Sequence, residues 1–84
     1  MKVSLSRKAQ QFLDHSNPPT RNRLEAKMAE LVNTPYTSGC KKVKGLPNSY
    51  RLRVGTYRIL YTITKPDQIV IFRISPRESA YDLL

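Results

Sequence analysis

Apolar positions change their period twice along this chain. Val3 and Leu5 alternate with polar neighbours, which predicts a short strand over Lys2 to Leu5. Ser6 then stands where a helix cap belongs, and Ala9, Phe12 and Leu13 make an apolar stripe that predicts a helix through Asp14. His15 to Pro19 breaks it. Asn17 or Thr20 caps a second helix, whose first turn tolerates proline. Leu24, Met28, Leu31 and Val32 keep helical spacing until Asn33-Thr34-Pro35 ends the run. The two helices are expected to form an antiparallel hairpin with their Leu and Met stripe in the core.

Residues 36–49 contain Gly39, Gly45, Pro47 and three lysines, and predict an irregular connection with a short extended piece at Lys42 to Lys44. Period two then returns. Tyr50 to Val54, Tyr57 to Thr64 and Gln68 to Ile74 are rich in β-branched and aromatic residues and predict a meander. Ser79 to Leu84 reads as a last helical turn. The expected fold is α+β: two N-terminal antiparallel helices packed on a mainly antiparallel four-stranded sheet, in one domain over residues 1–84. A chain of 84 residues is near the lower size at which an apolar core suffices, so little stability is to spare.

Turn chemistry sets strand register. Gly55-Thr56 suits a type II′ hairpin, which takes Gly at its first central position, and Pro66-Asp67 suits a type I turn. With these loops Val54 lies opposite Tyr57, Arg53 opposite Arg58, Leu52 opposite Ile59 and Arg51 opposite Leu60. Across the next turn Tyr61 faces Phe72, Leu60 faces Arg73 and Ile59 faces Ile74. Alternation then puts Leu52, Val54, Tyr57, Ile59, Tyr61, Ile63, Val70, Phe72 and Ile74 on the core face. Arg51, Arg53, Arg58 and Arg73 fall on the other face, around Leu60.

Charge gives that second face a meaning. Fifteen Lys and Arg stand against six Asp and Glu, a formal net charge of +9. No acidic residue occurs from Leu31 to Pro66, where Lys41, Lys42, Lys44, Arg51, Arg53, Arg58 and Lys65 all lie. Like charges roughly 5 Å apart oppose each other by on the order of 1 kcal/mol in water. Bound phosphate would turn that opposition into affinity, because guanidinium forks match phosphate oxygens. The expected partner is a polyanion, against the plainer alternative of a solvated basic surface.

The available chemistry is narrow. Metal-assisted hydrolysis needs clustered carboxylates or histidines, and the meander strands contain neither. His15 is the single histidine, so cleavage of RNA by a histidine pair is excluded. Cys40 is the single cysteine and makes neither an intramolecular disulfide nor a cysteine-based metal site. What remains is phosphoryl transfer by positioning and charge stabilisation, with the ribose 2′-hydroxyl as nucleophile. Such a protein should act poorly on free RNA. No signal peptide or membrane span is read in the sequence, and the cytoplasm is the expected compartment.

The run GLPNSYRLRVGTYRILYTI from Gly45 to Ile63, followed by IVIFRISPRESAYD from Ile69 to Asp82, resembles the RelE/ParE toxin superfamily. The order of elements agrees over nearly the whole chain. The resemblance implies a ribosome-dependent endoribonuclease that cuts messenger RNA, uses no cofactor, and is held inactive by a cognate antitoxin. It implies that Arg51 and Arg53 contact and activate the cleaved nucleotide, and that Arg58 stabilises the charged phosphate. It further implies that Arg77 is a phosphate contact and a candidate proton donor, and that Tyr81 stacks on or orients a base. Lys41, Lys42, Lys44 and Arg73 are expected to contact RNA or the ribosome. Several relatives have lysine where this chain has Arg51 and Arg53, and some carry histidine where it has Pro76. Arginine keeps its proton at any relevant pH, which assigns Arg51 and Arg53 to electrostatic stabilisation and leaves the acid and base open. The superfamily also contains ParE-like inhibitors of DNA gyrase that do not cut RNA, and that alternative stands beside a non-catalytic RNA-binding role.

Overall fold

The computed structural model of the protein describes residues 1–76. The elements run β1 (Lys2–Leu5), α1 (Arg7–Asp14), α2 (Pro18–Asn33), β2 (Cys40–Lys42), β3 (Ser49–Val54), β4 (Tyr57–Lys65) and β5 (Gln68–Pro76). They form one five-stranded sheet in the order β1-β5-β4-β3-β2. β1 pairs with β5 in parallel, and every other neighbouring pair is antiparallel. The expectation of four strands is corrected by β2. Its short extended piece lies at Cys40–Lys42 and not at Lys42 to Lys44.

Both helices begin at the caps the sequence offers. Ser6 Oγ accepts from the Ala9 N–H at 3.2 Å, and Asn17 Oδ1 accepts from the Thr20 N–H at 3.0 Å with Pro18 and Pro19 in the first turn. The end of α1 is closed by Arg21, which donates to the carbonyls of Leu13, Asp14 and Ser16 at 3.1–3.2 Å. A cation serves there because unsatisfied carbonyls make a helix C-terminus partly negative. One of the fifteen basic residues therefore has a structural task.

The core lies between the helices and one face of the sheet. Ala9, Leu13, Leu24, Met28 and Leu31 meet Leu52, Val54, Ile59, Tyr61, Ile69, Ile71 and Ile74. Val32 shares the helical spacing of that stripe but is 47% exposed. Val70 and Phe72 are corrected too: they stand outside this core, and Ile69 and Ile71 take their places at 0% exposure.

The reason is a pair of compensating bulges. Lys65 pairs with Gln68 across the Pro66-Asp67 turn, and Leu60 pairs with Arg73, both as expected. Between them Ile63 pairs with Ile69 and Tyr61 with Ile71, so Thr64 is extra on β4 and Phe72 is extra on β5. A one-residue slip exchanges the faces of a strand. The two slips cancel, and register is restored before the arginines are reached.

Candidate functional site

The β3–β4 hairpin has the predicted register: Val54 opposite Tyr57, Arg53 opposite Arg58, Leu52 opposite Ile59 and Arg51 opposite Leu60. Gly55 has φ +60°, whereas Thr56 is not among the residues with positive φ. That combination identifies a type II′ turn, whose twist matches the strands it joins. Leu52, Val54 and Ile59 go to the core, and alternation sends Arg51, Arg53, Arg58 and Leu60 to the opposite face.

On that face Arg51, Arg53 and Arg58 line one cleft of about 250 Å³, together with Lys41 and Gly39. Their exposures are graded. Arg53 is exposed, Arg51 is half-buried, and Arg58 is only 4% exposed. Leu60, in the same row as Arg51, is 3% exposed. Four cationic side chains thus converge at one concave site, with no carboxylate among its described lining residues. The geometry suits a bound anion such as a phosphodiester, since several guanidinium forks can reach one phosphate group.

The remaining sequence candidates are distributed elsewhere. Arg73 pairs with Leu60 as expected. It lines a larger groove of about 600 Å³ between α1 and the end of β5, with Lys8, Phe12, His15 and Tyr57 among its neighbours. Lys42 and Lys44 line a third depression with Val43, Gly45, Leu46 and Pro47. His15 is exposed at the end of α1, with Nδ1 2.7 Å from the Gln11 carbonyl. Arg77, Tyr81 and the expected turn over Ser79 to Leu84 lie outside the described residues.

One cleft feature carries no signal in the sequence, and another only a partial one. Gly39 was read only as part of a loop, but it lines the cleft with φ +90°. Lys41 is expected, with Lys42 and Lys44, to contact RNA or the ribosome, and β2 singles it out for the cleft by pairing it with Arg51. The alternation Cys40-Lys41-Lys42 is too short a signal to announce a strand.

Behind the cleft, on the core side of the sheet, Tyr50 stacks on Tyr61 with ring centroids 5.8 Å apart, and Tyr36 meets Tyr50 edge-on at 5.5 Å. The Tyr61 hydroxyl donates to the Pro35 carbonyl. Burial pushes the Tyr61 phenol well above its ordinary value, and Cys40, Tyr50 and Tyr36 add to the effect. Thr37 Oγ1 donates to the Glu30 carboxylate at 2.6 Å, which holds that carboxyl below its usual range. These two bonds fasten the loop from which β2 emerges.

Residues 3–81 match a family model described as the ParE toxin of type II toxin–antitoxin system, parDE. The chain is 34% identical to Toxin RelE3 of Methanocaldococcus jannaschii over an alignment covering 98% of this chain and 97% of that protein. Its fold superposes on a chain of the RelB-RelE antitoxin-toxin complex from Methanococcus jannaschii with a TM-score of 0.78, at 30% identity, covering 98% of this chain and 99% of that one. A chain of the toxin-antitoxin complex RelBE2 from Mycobacterium tuberculosis gives a TM-score of 0.74 at 26% identity, covering 90% and 96%.

Proposed function

Because the chain belongs to the RelE/ParE family of toxins from type II toxin–antitoxin systems, we propose that it is an endoribonuclease that cuts messenger RNA on the ribosome and so arrests translation in the cytoplasm. The observation that supports this reading is the cleft in which Arg51, Arg53, Arg58 and Lys41 meet. A phosphodiester seated there would have its 2′-hydroxyl oxygen attack phosphorus while the bond to the 5′-oxygen breaks. The products are a 2′,3′-cyclic phosphate and a 5′-hydroxyl. Arg58 stabilises the charge that builds on the phosphoryl oxygens, and Arg51 and Arg53 hold the nucleotide beside it. The resemblance adds Arg77 as a phosphate contact and Tyr81 as a base-orienting side chain. Lys42, Lys44 and Arg73, outside the cleft, contact ribosomal RNA.

Dependence on the ribosome follows from what the cleft supplies. Charge stabilisation without alignment leaves a flexible RNA in unproductive conformers, and alignment can be worth several kcal/mol of barrier. An ordered message on the ribosome provides it. A cognate antitoxin covers the toxin between episodes of activity, as RelB pairs with RelE in the related complexes.

A second reading is gyrase inhibition without RNA cleavage, favoured by the ParE description of the family model. Translation in vitro followed by primer extension separates the two. Cuts within codons of ribosome-bound message support the nuclease. Intact message together with blocked DNA supercoiling supports the gyrase inhibitor.

A further inference from the structure

β5 is covered unequally along its length. β1 ends at Leu5, whose partner is Ile71, so among the described residues no strand pairs with that side of β5 from Phe72 to Pro76. α1 runs beside the open stretch, fastened where Ser6 Oγ donates to the Phe72 carbonyl. Between helix and strand lies the groove of about 600 Å³, a volume that suits a ligand of nucleotide size. Phe12 of α1 and Tyr57 of β4, both half-buried, line it and meet edge-on with ring centroids 5.8 Å apart. Half-buried Arg73 and exposed Lys8 and His15 line it too, and no carboxylate is among its described lining residues.

Two side chains in this groove lack partners. The Arg73 guanidinium makes neither a hydrogen bond nor an ion pair among the described residues. Ser75 is 4% exposed, and among the described residues its Oγ is the one buried side-chain oxygen or nitrogen without a hydrogen bond. Buried polar groups are nearly always paired, so a lone hydroxyl in a cavity wall points to a group that arrives from outside. Register also joins the groove to the arginine cleft. Ser75 is the Cα partner of Arg58, Arg73 is the partner of Leu60, and direct partners share a face. The cleft lined by Arg58 and the groove lined by Ser75 are thus one strand spacing apart, about 4.8 Å.

We propose that the groove between α1 and β5 seats a single unpaired ribonucleotide, an inference that rests on the nuclease reading above. The base packs against Tyr57 and Phe12, the phosphate faces Arg73 and Lys8, and the Ser75 hydroxyl meets a polar edge of the sugar or base. Aromatic side chains and guanidinium planes take unstacked bases with little regard to sequence, and paired RNA does not offer them. Two sources supply this chemistry: a message nucleotide next to the one in the cleft, and an unpaired nucleotide of ribosomal RNA. An acidic peptide would match the cations but would not account for a groove that opens beside a phosphate-binding cleft.

The test is ultraviolet crosslinking of the full chain to ribosomes programmed with an isotope-labelled message that is 2′-O-methylated throughout. Such a message lacks the attacking hydroxyl and stays whole, so the crosslink reports the groove independently of cleavage. Mass spectrometry should find a nucleotide adduct on the peptide that holds Phe12 or Tyr57. A labelled adduct identifies the message as its source, and an unlabelled one identifies ribosomal RNA. Joint replacement by Lys8→Gln and Arg73→Gln should lower the yield about tenfold. Ser75→Ala should lower it several-fold without lowering the melting temperature. Lys65→Gln, at the exposed end of β4, should match wild type. Full yield from both the double variant and Ser75→Ala would overturn the inference. Wild type without adducts in the groove overturns it too, and protection of Lys8 from acetylation by a glutamate-rich peptide would then reassign the groove to a protein partner. Cleavage of an unmethylated message in a parallel sample tests the nuclease reading alone: cuts without groove adducts sink only this inference, and groove adducts without cuts sink only that reading.

Discussion

Arg53 and Arg58 are direct Cα partners across the β3–β4 hairpin, and both line the cleft that also holds Arg51 and Lys41. A two-residue turn brings them there. The pair differs in environment: Arg53 is exposed, and Arg58 is 4% exposed. A fixed cation in a sheltered site stabilises developing charge without reorganising as the reaction proceeds, whereas an exposed one is screened by water and salt.

Arg58 should accordingly matter most. Arg58→Ala is expected to lower message cleavage at least tenfold, which corresponds to about 1.4 kcal/mol of transition-state stabilisation. Arg58→Lys keeps a charge without the fork and should recover only part of the rate. Arg77→Ala should also lose at least a factor of ten. Primer extension gives the rates, with thermal unfolding of each variant alongside because Arg58 is buried. Unchanged toxicity in both alanine variants would remove these two residues from the site.

The hairpin that aligns the arginines depends on Gly55. Its φ of +60° is a conformation that L side chains rarely adopt, and an alanine Cβ would come within 2.8 Å of Arg23 Nη2. The guanidinium can swing aside, but the backbone cannot change without altering the turn. Gly55→Ala should therefore cost about 1–2 kcal/mol in urea unfolding. It should lower cleavage as well, since register and site share the same turn. A variant as stable and active as wild type would show that the turn adapts.

Turn chemistry is local, which is why Gly55-Thr56 revealed the pairing of Arg53 with Arg58 from sequence alone, whereas Leu60 meets Arg73 because the two bulges beyond Pro66-Asp67 cancel. The bulges at Thr64 and Phe72 were not legible, because part of their support comes from distant residues. The Phe72 carbonyl accepts from Ser6 Oγ at 3.0 Å, and the Ile71 carbonyl accepts from the Ser6 N–H at 2.8 Å. A single residue 66 positions from Phe72 thus shares in shaping β5. The same limit hid the place of Lys41 in the cleft, since three residues of strand carry too little periodicity to reveal their pairing with β3. The place of Arg58 on the arginine face, by contrast, was readable, although its burial was not.

Ser6 therefore serves two structures with one hydroxyl. It caps α1 at Ala9 and holds the bulge at Phe72. Ser6→Ala should lose about 1 kcal/mol from the cap and about 1 kcal/mol from the carbonyl left short of a partner. For a domain of this size the melting temperature should fall by roughly 8–16 °C. Ser6→Thr retains the hydroxyl and should restore most of it. If Ser6→Ala melts within a degree or two of wild type, the hydroxyl does not support the bulge.

Tyr61 gives the fold a distinct alkaline limit. Its phenol is raised above the ordinary value chiefly by burial, so the native state retains a proton that an unfolded tyrosine gives up near pH ~10. The resulting stabilisation is fully present below the unfolded value and is lost as pH rises through the folded one. Tyr50 is shifted in the same direction by burial and by Tyr36, so it contributes a second decline of the same sign. Tyr61→Phe removes one of the two, together with the hydrogen bond to the Pro35 carbonyl. At neutral pH the variant should be weaker by about 1 kcal/mol. Between about pH 10 and 11 its stability should fall less steeply than that of wild type, so the difference between the proteins narrows. Urea unfolding at both pH values reads this directly. A gap that stays constant or widens on the alkaline side would mean that the Tyr61 hydroxyl titrates alike in folded and unfolded chains.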